Sequence, residues 1–230
     1  MKRALLAVLC AWHALGATAY AADQSEFWPE LSAFIPVRPD LRVYLDAAKA
    51  KGKESDLGSV DLTAALDISL KPVLRSALQS EDWQRNRYLW ARVGYTSVLD
   101  IGNGEIKSVA EHRGHLALYA RAPLPAEVWT ETRARADLRW TGDGYSTRYR
   151  FRVEVNREFV VGDRPVLPYF NVEWFYDTRY ADWNRTLYQA GAEITVSKLF
   201  RYELYLARRN DRIPEVKTLD AFGVVGKFYF

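Results

Sequence analysis

The residues with the clearest chemical potential are arginines. Arg133, Arg135 and Arg139 alternate with Thr132, Ala134, Ala136, Leu138 and Trp140. Beyond a Gly142-Asp143-Gly144 tip, Arg148, Arg150 and Arg152 alternate with Thr147, Tyr149, Phe151 and Val153. Extended chain sends successive side chains to opposite faces, so two neighbouring strands would carry one ladder of guanidinium groups. Guanidinium forks match carboxylate and phosphate oxygens, and the ladder has two readings. In one, Asp137, Glu154, Glu173, Asp177, Glu193 and Glu203 neutralise it across a narrow interior, because charges taken out of water must be paired. In the other, it forms an anion-attracting passage or a binding site for a small anionic solute. The acidic residues on the same set of strands are nearly sufficient in number, which favours the first.

Nucleophilic chemistry is poorly provided for. Outside the N-terminal segment the histidines are His112 and His115, three apart and therefore on opposite faces of one strand. His115 shares its face with Glu111, but no His-x-Ser pattern accompanies it, so a lipid hydrolase built on a His–Ser pair is a distant third reading and no catalytic residue is assigned. No cluster has metal-ligand spacing, and Asp61 and Asp67 are expected to meet arginines rather than calcium. No cofactor is implied.

The elements that must position these charges are strands of period two. Val60, Leu62, Ala64, Leu66, Ile68 and Leu70 face one way, and Asp61, Thr63, Ala65, Asp67 and Ser69 the other. An apolar run of that length at alternate positions matches a tilted strand crossing a bilayer. The same alternation recurs from Leu41, Leu89, Val109, Thr132, Tyr145, Pro168, Tyr188, Phe200 and Leu219 onward. Short turns near Pro123, Gly162 and Ser197 alternate with longer polar tips near Lys51, Asn103, Ala181 and Asn210, as in outer-membrane barrels, with Lys71–Asn86 as a longer connection. Trp90, Trp129, Trp140, Trp174 and Trp183 are expected at strand ends or on outer faces, as an aromatic girdle. Counting back from the last strand gives ten strands to Leu41. Phe27–Val37, interrupted by Pro29 and Pro36, would be an eleventh segment, and up-down alternation then asks for a twelfth strand or a non-spanning role.

The two ends frame this domain. Lys2 and Arg3 precede an apolar run to about Ala17, followed by Ala17-Thr18-Ala19 and Ala19-Tyr20-Ala21. That pattern predicts a cleaved export signal over residues 1–21 and a single domain over 22–230, since the run is too short for a spanning helix. Cleavage would remove Cys10, the only cysteine, and with it thiol and disulfide chemistry. Removing Lys2 and Arg3 from 32 basic residues leaves 30 against 29 acidic ones, a formal charge of +1 that points to no nucleic-acid partner. At the other end Phe222, Phe228 and the terminal Phe230 share one face of the closing strand. A closing strand ending in an aromatic is the pattern read by the barrel-insertion machinery.

The stretch Pro168–Glu193 (PYFNVEWFYDTRYADWNRTLYQAGAE), with NRYLWARVGY and the terminal KFYF, resembles an uncharacterised family of bacterial outer-membrane barrels, domain of unknown function 2490. The resemblance implies location and fold, and supplies no catalytic residues. The expectation is an all-β, antiparallel transmembrane β-barrel of about 10–12 strands in the outer membrane of a Gram-negative bacterium. Its interior would be charged and salt-bridged, its partners outer-membrane lipids and the barrel-assembly machinery, and its role structural or in envelope maintenance rather than enzymatic. The alternative is a narrow pore or binding barrel for small anionic solutes.

Overall fold

Alternating apolar and polar residues leave one face of each strand unfit for water and the other unfit for hydrocarbon, and a closed ring of strands separates the two. The computed structural model describes residues 24–52, 57–70, 88–102, 105–213 and 217–230. The expected export signal and the whole Lys71–Asn86 connection lie outside these residues. The described chain is all-β: β1 (Gln24–Arg38), β2 (Leu41–Gly52), β3 (Leu57–Ser69), β4 (Leu89–Gly102), β5 (Glu105–Leu124), β6 (Val128–Thr141), β7 (Gly144–Arg157), β8 (Phe159–Val161), β9 (Arg164–Asp177), β10 (Asp182–Thr195), β11 (Phe200–Asp211) and β12 (Lys217–Tyr229).

Consecutive strands pair antiparallel around the ring. β8 prolongs β7, because Asn156↔Tyr169 and Phe159↔Val166 belong to one register against β9. The ladder lapses between them, where the next β9 position is Pro168, a residue with no N–H to donate. Eleven strands therefore close the barrel, with β12 against β1.

An odd count forces one parallel pair, and it falls at that seam: Gln24↔Leu219 through Phe34↔Tyr229. No twelfth spanning strand is needed, nor a non-spanning role for the first segment, which corrects the parity argument. A parallel ladder satisfies edge N–H and C=O groups as an antiparallel one does, and closure leaves no open edge. Pro29 is accommodated in that ladder opposite Val224, and Pro36 lies beyond it, opposite Arg42 of β2 where the register shifts. The seam is reinforced by the Phe230 N–H donating to the Phe34 carbonyl at 3.1 Å and by Phe34 stacking on Tyr229 at 4.8 Å. Consequently β1 starts at the rim opposite Phe230.

The side chains are distributed inside out. Leu45, Leu66, Val93, Leu118, Phe151, Leu206 and Phe222 are exposed on the outer surface, whereas Asp67, Glu111, Asp137, Glu173 and Asp177 are buried within. Trp140, Trp174 and Trp183 lie outside as expected. Trp90 is at a strand end, the start of β4, but faces inward: it is buried, stacked on Tyr119 at 4.8 Å. Trp129, at the start of β6, turns inward to line the interior. Both share the parity of inward residues, Trp90 with Arg92 and Trp129 with Arg133, so alternation outweighs the preference of indoles for an interface.

One close approach depends on glycine. Tyr205 of β11 lies directly over Gly223, its partner on β12, where an added Cβ would stand 2.0 Å from the ring. Gly223→Ala is expected to lower stability by about 1–3 kcal/mol through overpacking. Gly142→Ala, at a site with no atom within 4 Å of the new methyl, should stay within about 0.5 kcal/mol. Urea titrations of the folded protein in detergent, followed by tryptophan fluorescence, measure both.

Candidate functional site

The inward positions of adjacent strands meet in register, and the charges pair across them. Arg42 and Arg92 flank Asp67 on β2, β4 and β3, at 2.7 and 2.6 Å. Glu173 of β9 takes Arg133 of β6 at 2.6 Å and Arg150 of β7 at 2.8 Å. Arg135 holds Asp137, and Glu131 joins Arg121 at 2.7 Å to Arg152 at 3.1 Å. Glu154 lies 3.9 Å from Arg152.

A second layer closes the barrel toward the rim where β1 starts. Glu111 receives both Nε and Nη2 of Arg139, at 2.8 and 2.6 Å, and Nε of Arg113 at 2.7 Å. Arg139 and Arg148 both reach Asp177, at 3.0 and 2.8 Å. Beside this layer Phe175, Ala207, Leu219 and Ala221 pack in an apolar cluster from β9, β11 and β12.

On the other side of this layer lies a cavity of about 1030 Å³. Its lining reaches Glu127, Val160 and Pro165 at the rim bearing Phe230, but includes none of Glu111, Arg113, Arg139, Arg148 or Asp177. The described residues thus form a cup with an ion-paired floor.

The arginine ladder is divided by this arrangement. Arg133, Arg135, Arg150 and Arg152 line the cavity together with Glu154 and Glu173, whereas Arg139, Arg148 and Asp177 belong to the floor. Glu193 and Glu203 do not neutralise the ladder. They lie across the cavity, where Glu193 takes Lys227 at 2.6 Å and Arg201 at 2.9 Å, and Glu203 takes Lys227 and the Tyr169 hydroxyl. Period-two parity puts all of them inside, but only strand order says which face each other. Phe222 and Phe228 sit on the outer face against Phe27 and Phe200, and Phe230 is exposed at the rim.

Two groups escaped the sequence reading. Glu131 sits on inward parity among the arginines of β6, a signal that was present. Glu30 of β1 and Asp46 of β2 both contact the Ser32 hydroxyl, at 3.1 and 2.8 Å, and neither forms an ion pair among the described residues. Their convergence depends on β1 lying beside β2 in the ring, which alternation along a single strand does not reveal.

His115 is buried and lines the cavity with neither ring nitrogen hydrogen-bonded. Its ring lies over Gly94, where a Cβ would come within 2.7 Å. Glu111, on the same face, is committed to Arg113 and Arg139, so nothing orients the imidazole as a general base requires. His112 points outward to the Tyr95 hydroxyl. Among the described residues no group of three His, Cys, Asp or Glu side chains is placed to hold a metal.

These features define a closed β-barrel with an ion-paired floor and a charged cup. No protein-family model matches the chain, and no curated protein matches it.

Removing one member of a buried pair leaves the other charge uncompensated. Glu173→Gln, which strands both Arg133 and Arg150, is expected to cost about 3–5 kcal/mol. Arg38→Ala, at the exposed Arg38–Asp40 pair, should cost no more than about 1 kcal/mol. Denaturant unfolding from detergent micelles separates the two.

Proposed function

We propose that this chain is an integral outer-membrane β-barrel, of the family that it resembles, with a structural or envelope-maintenance role and a lumen that does not conduct. The observation that carries this reading is the inside-out barrel: an apolar outer surface surrounds buried arginine–carboxylate pairs that link the inner faces of β5, β6, β7 and β9. An apolar outer face suits hydrocarbon, and a closed ring is the only strand arrangement that can span it with every backbone group paired. Insertion of such barrels through their closing strand would place the rim bearing Phe230 in the periplasm. The cup would then open to the periplasm and its floor would lie toward the cell exterior. A bound solute instead of a purely structural role is the second reading, favoured by the size of the cavity and by the four arginines that line it from β6 and β7. That volume is at the upper end of pockets that hold small molecules.

Two measurements test the first reading. The protein should fractionate with the outer membrane and migrate differently on gels before and after boiling. In planar bilayers the purified barrel should give no unitary conductance steps, because the Glu111–Arg139–Asp177–Arg148 layer obstructs the lumen. Regular steps from the unmodified protein would overturn the non-conducting assignment.

A further inference from the structure

The wall of the cup is uneven at the rim that bears Phe230. β6 begins at Val128, opposite Arg157, whereas β8 carries the line of β7 onward through Phe159–Val161 and pairs with β9 alone. Among the described residues no strand lies along the other edge of β8. The β8–β9 hairpin therefore stands beyond the β5–β6 turn as a lip, with a notch in the wall beside it.

Both faces of that lip are apolar. Val160 and Pro165 lie opposite one another in register, and both line the cavity, with Leu167 on the same face. Phe159, Val161 and Val166 take the other parity, which Val155 and Phe170 carry on the exposed outer surface. Val160 is 69% exposed and Val161 62%. Exposed apolar side chains clustered on an open strand edge mark a binding surface, because such edges are ordinarily blunted with charge. The apolar outer surface thus continues over the lip and down the inner wall. Past Leu167 the same wall turns polar, with Tyr169, Asn171 and Gln189 lining the cavity. A purely polar solute would leave the lip in water, and a purely apolar one would strip water from the polar wall without replacing its hydrogen bonds. A molecule with a polar head and an acyl chain satisfies both.

We propose that the cup binds a phospholipid from the bilayer leaflet in which the Phe230 rim lies. The polar head occupies the cup, and an acyl chain passes over the β8–β9 lip, through the notch, to rejoin the hydrocarbon outside. The lip is the one place where the lipid-facing surface and the cavity lining are continuous through apolar side chains on the described hairpins, so the lipid need not leave the bilayer to reach the cup. This proposal rests on the membrane-spanning reading, and within the bound-solute alternative it replaces a free solute by a lipid.

The test is contact quenching of a fluorescent label in vesicles of phosphatidylethanolamine and phosphatidylglycerol with brominated acyl chains, compared with the same lipids unbrominated. Residues 22–230 contain no cysteine, so a single introduced thiol carries the label in the full mature chain. Leu167→Cys places it inside the lip, Val155→Cys on the outer face, and Thr63→Cys on the cavity wall across the ring from β9. Bromine should quench the label at Leu167 as strongly as the one at Val155, and leave the one at Thr63 unchanged. Adding Val160→Asp should relieve the quenching at Leu167 and not that at Val155. Where Leu167→Cys fails to give the heat-modifiable folded form, Pro165→Cys carries the same expectation. Quenching at Val155 with the Leu167 label no more affected than the Thr63 label would overturn the lipid assignment and leave the membrane-spanning barrel standing. A Val155 label untouched by bromine would overturn both.

Discussion

A sheet that closes on itself must satisfy every edge N–H and C=O, and with eleven strands it can do so only if two neighbours run parallel. The β1–β12 seam meets that requirement, and the other features of the barrel follow from it. Because β1 lies between β12 and β2, its inward residues Trp28, Glu30, Ser32 and Phe34 enter the interior instead of ending at a rim. The carboxyl pair of Glu30 and Asp46 exists only because β1 and β2 are neighbours within the ring, with Ser32↔Asp46 in direct register. Phe34 ties the same strand to Tyr229 and Arg42.

Closure also imposes an electrostatic condition. Narrow rings bring inward side chains from many strands within reach of one another, so a charged interior must be organised into pairs. Here the organisation is layered. Arginines that reach Glu111 and Asp177 fill the lumen toward one rim, while those around Glu131, Asp137 and Glu173 stay against the wall and leave a cavity beside them. Many of the acids serve two arginines. Asp67 between Arg42 and Arg92 is the simplest example, with Arg92 additionally lying 3.6 Å over the Tyr44 ring, which takes up part of the surplus positive charge.

A plugged floor and an empty cup within one barrel reconcile the two readings that an arginine ladder allows. The floor residues Arg139 and Arg148 behave as structural ion pairs, each saturated by Glu111 or Asp177. The cup residues Arg133 and Arg152 do not use all their donors. Residues of the same type and the same period thus fall to different tasks according to their height in the barrel.

Alternation determined which side chains face inward along nearly every strand and that the arginines would need carboxylate partners; with the order of short and long turns and the aromatic closing strand it also pointed to a β-barrel. Period two is a local property of extended backbone, so it is legible without knowing which strands meet. What alternation cannot carry is the ring itself. That Glu193 and Glu203 belong to Lys227 rather than to the ladder, that Trp90 packs on Tyr119, and that Glu30 and Asp46 converge on Ser32 all depend on strand order, register and the parallel seam. Those are non-local facts, decided when eleven strands close and bring residues far apart in the chain to the same height across one interior.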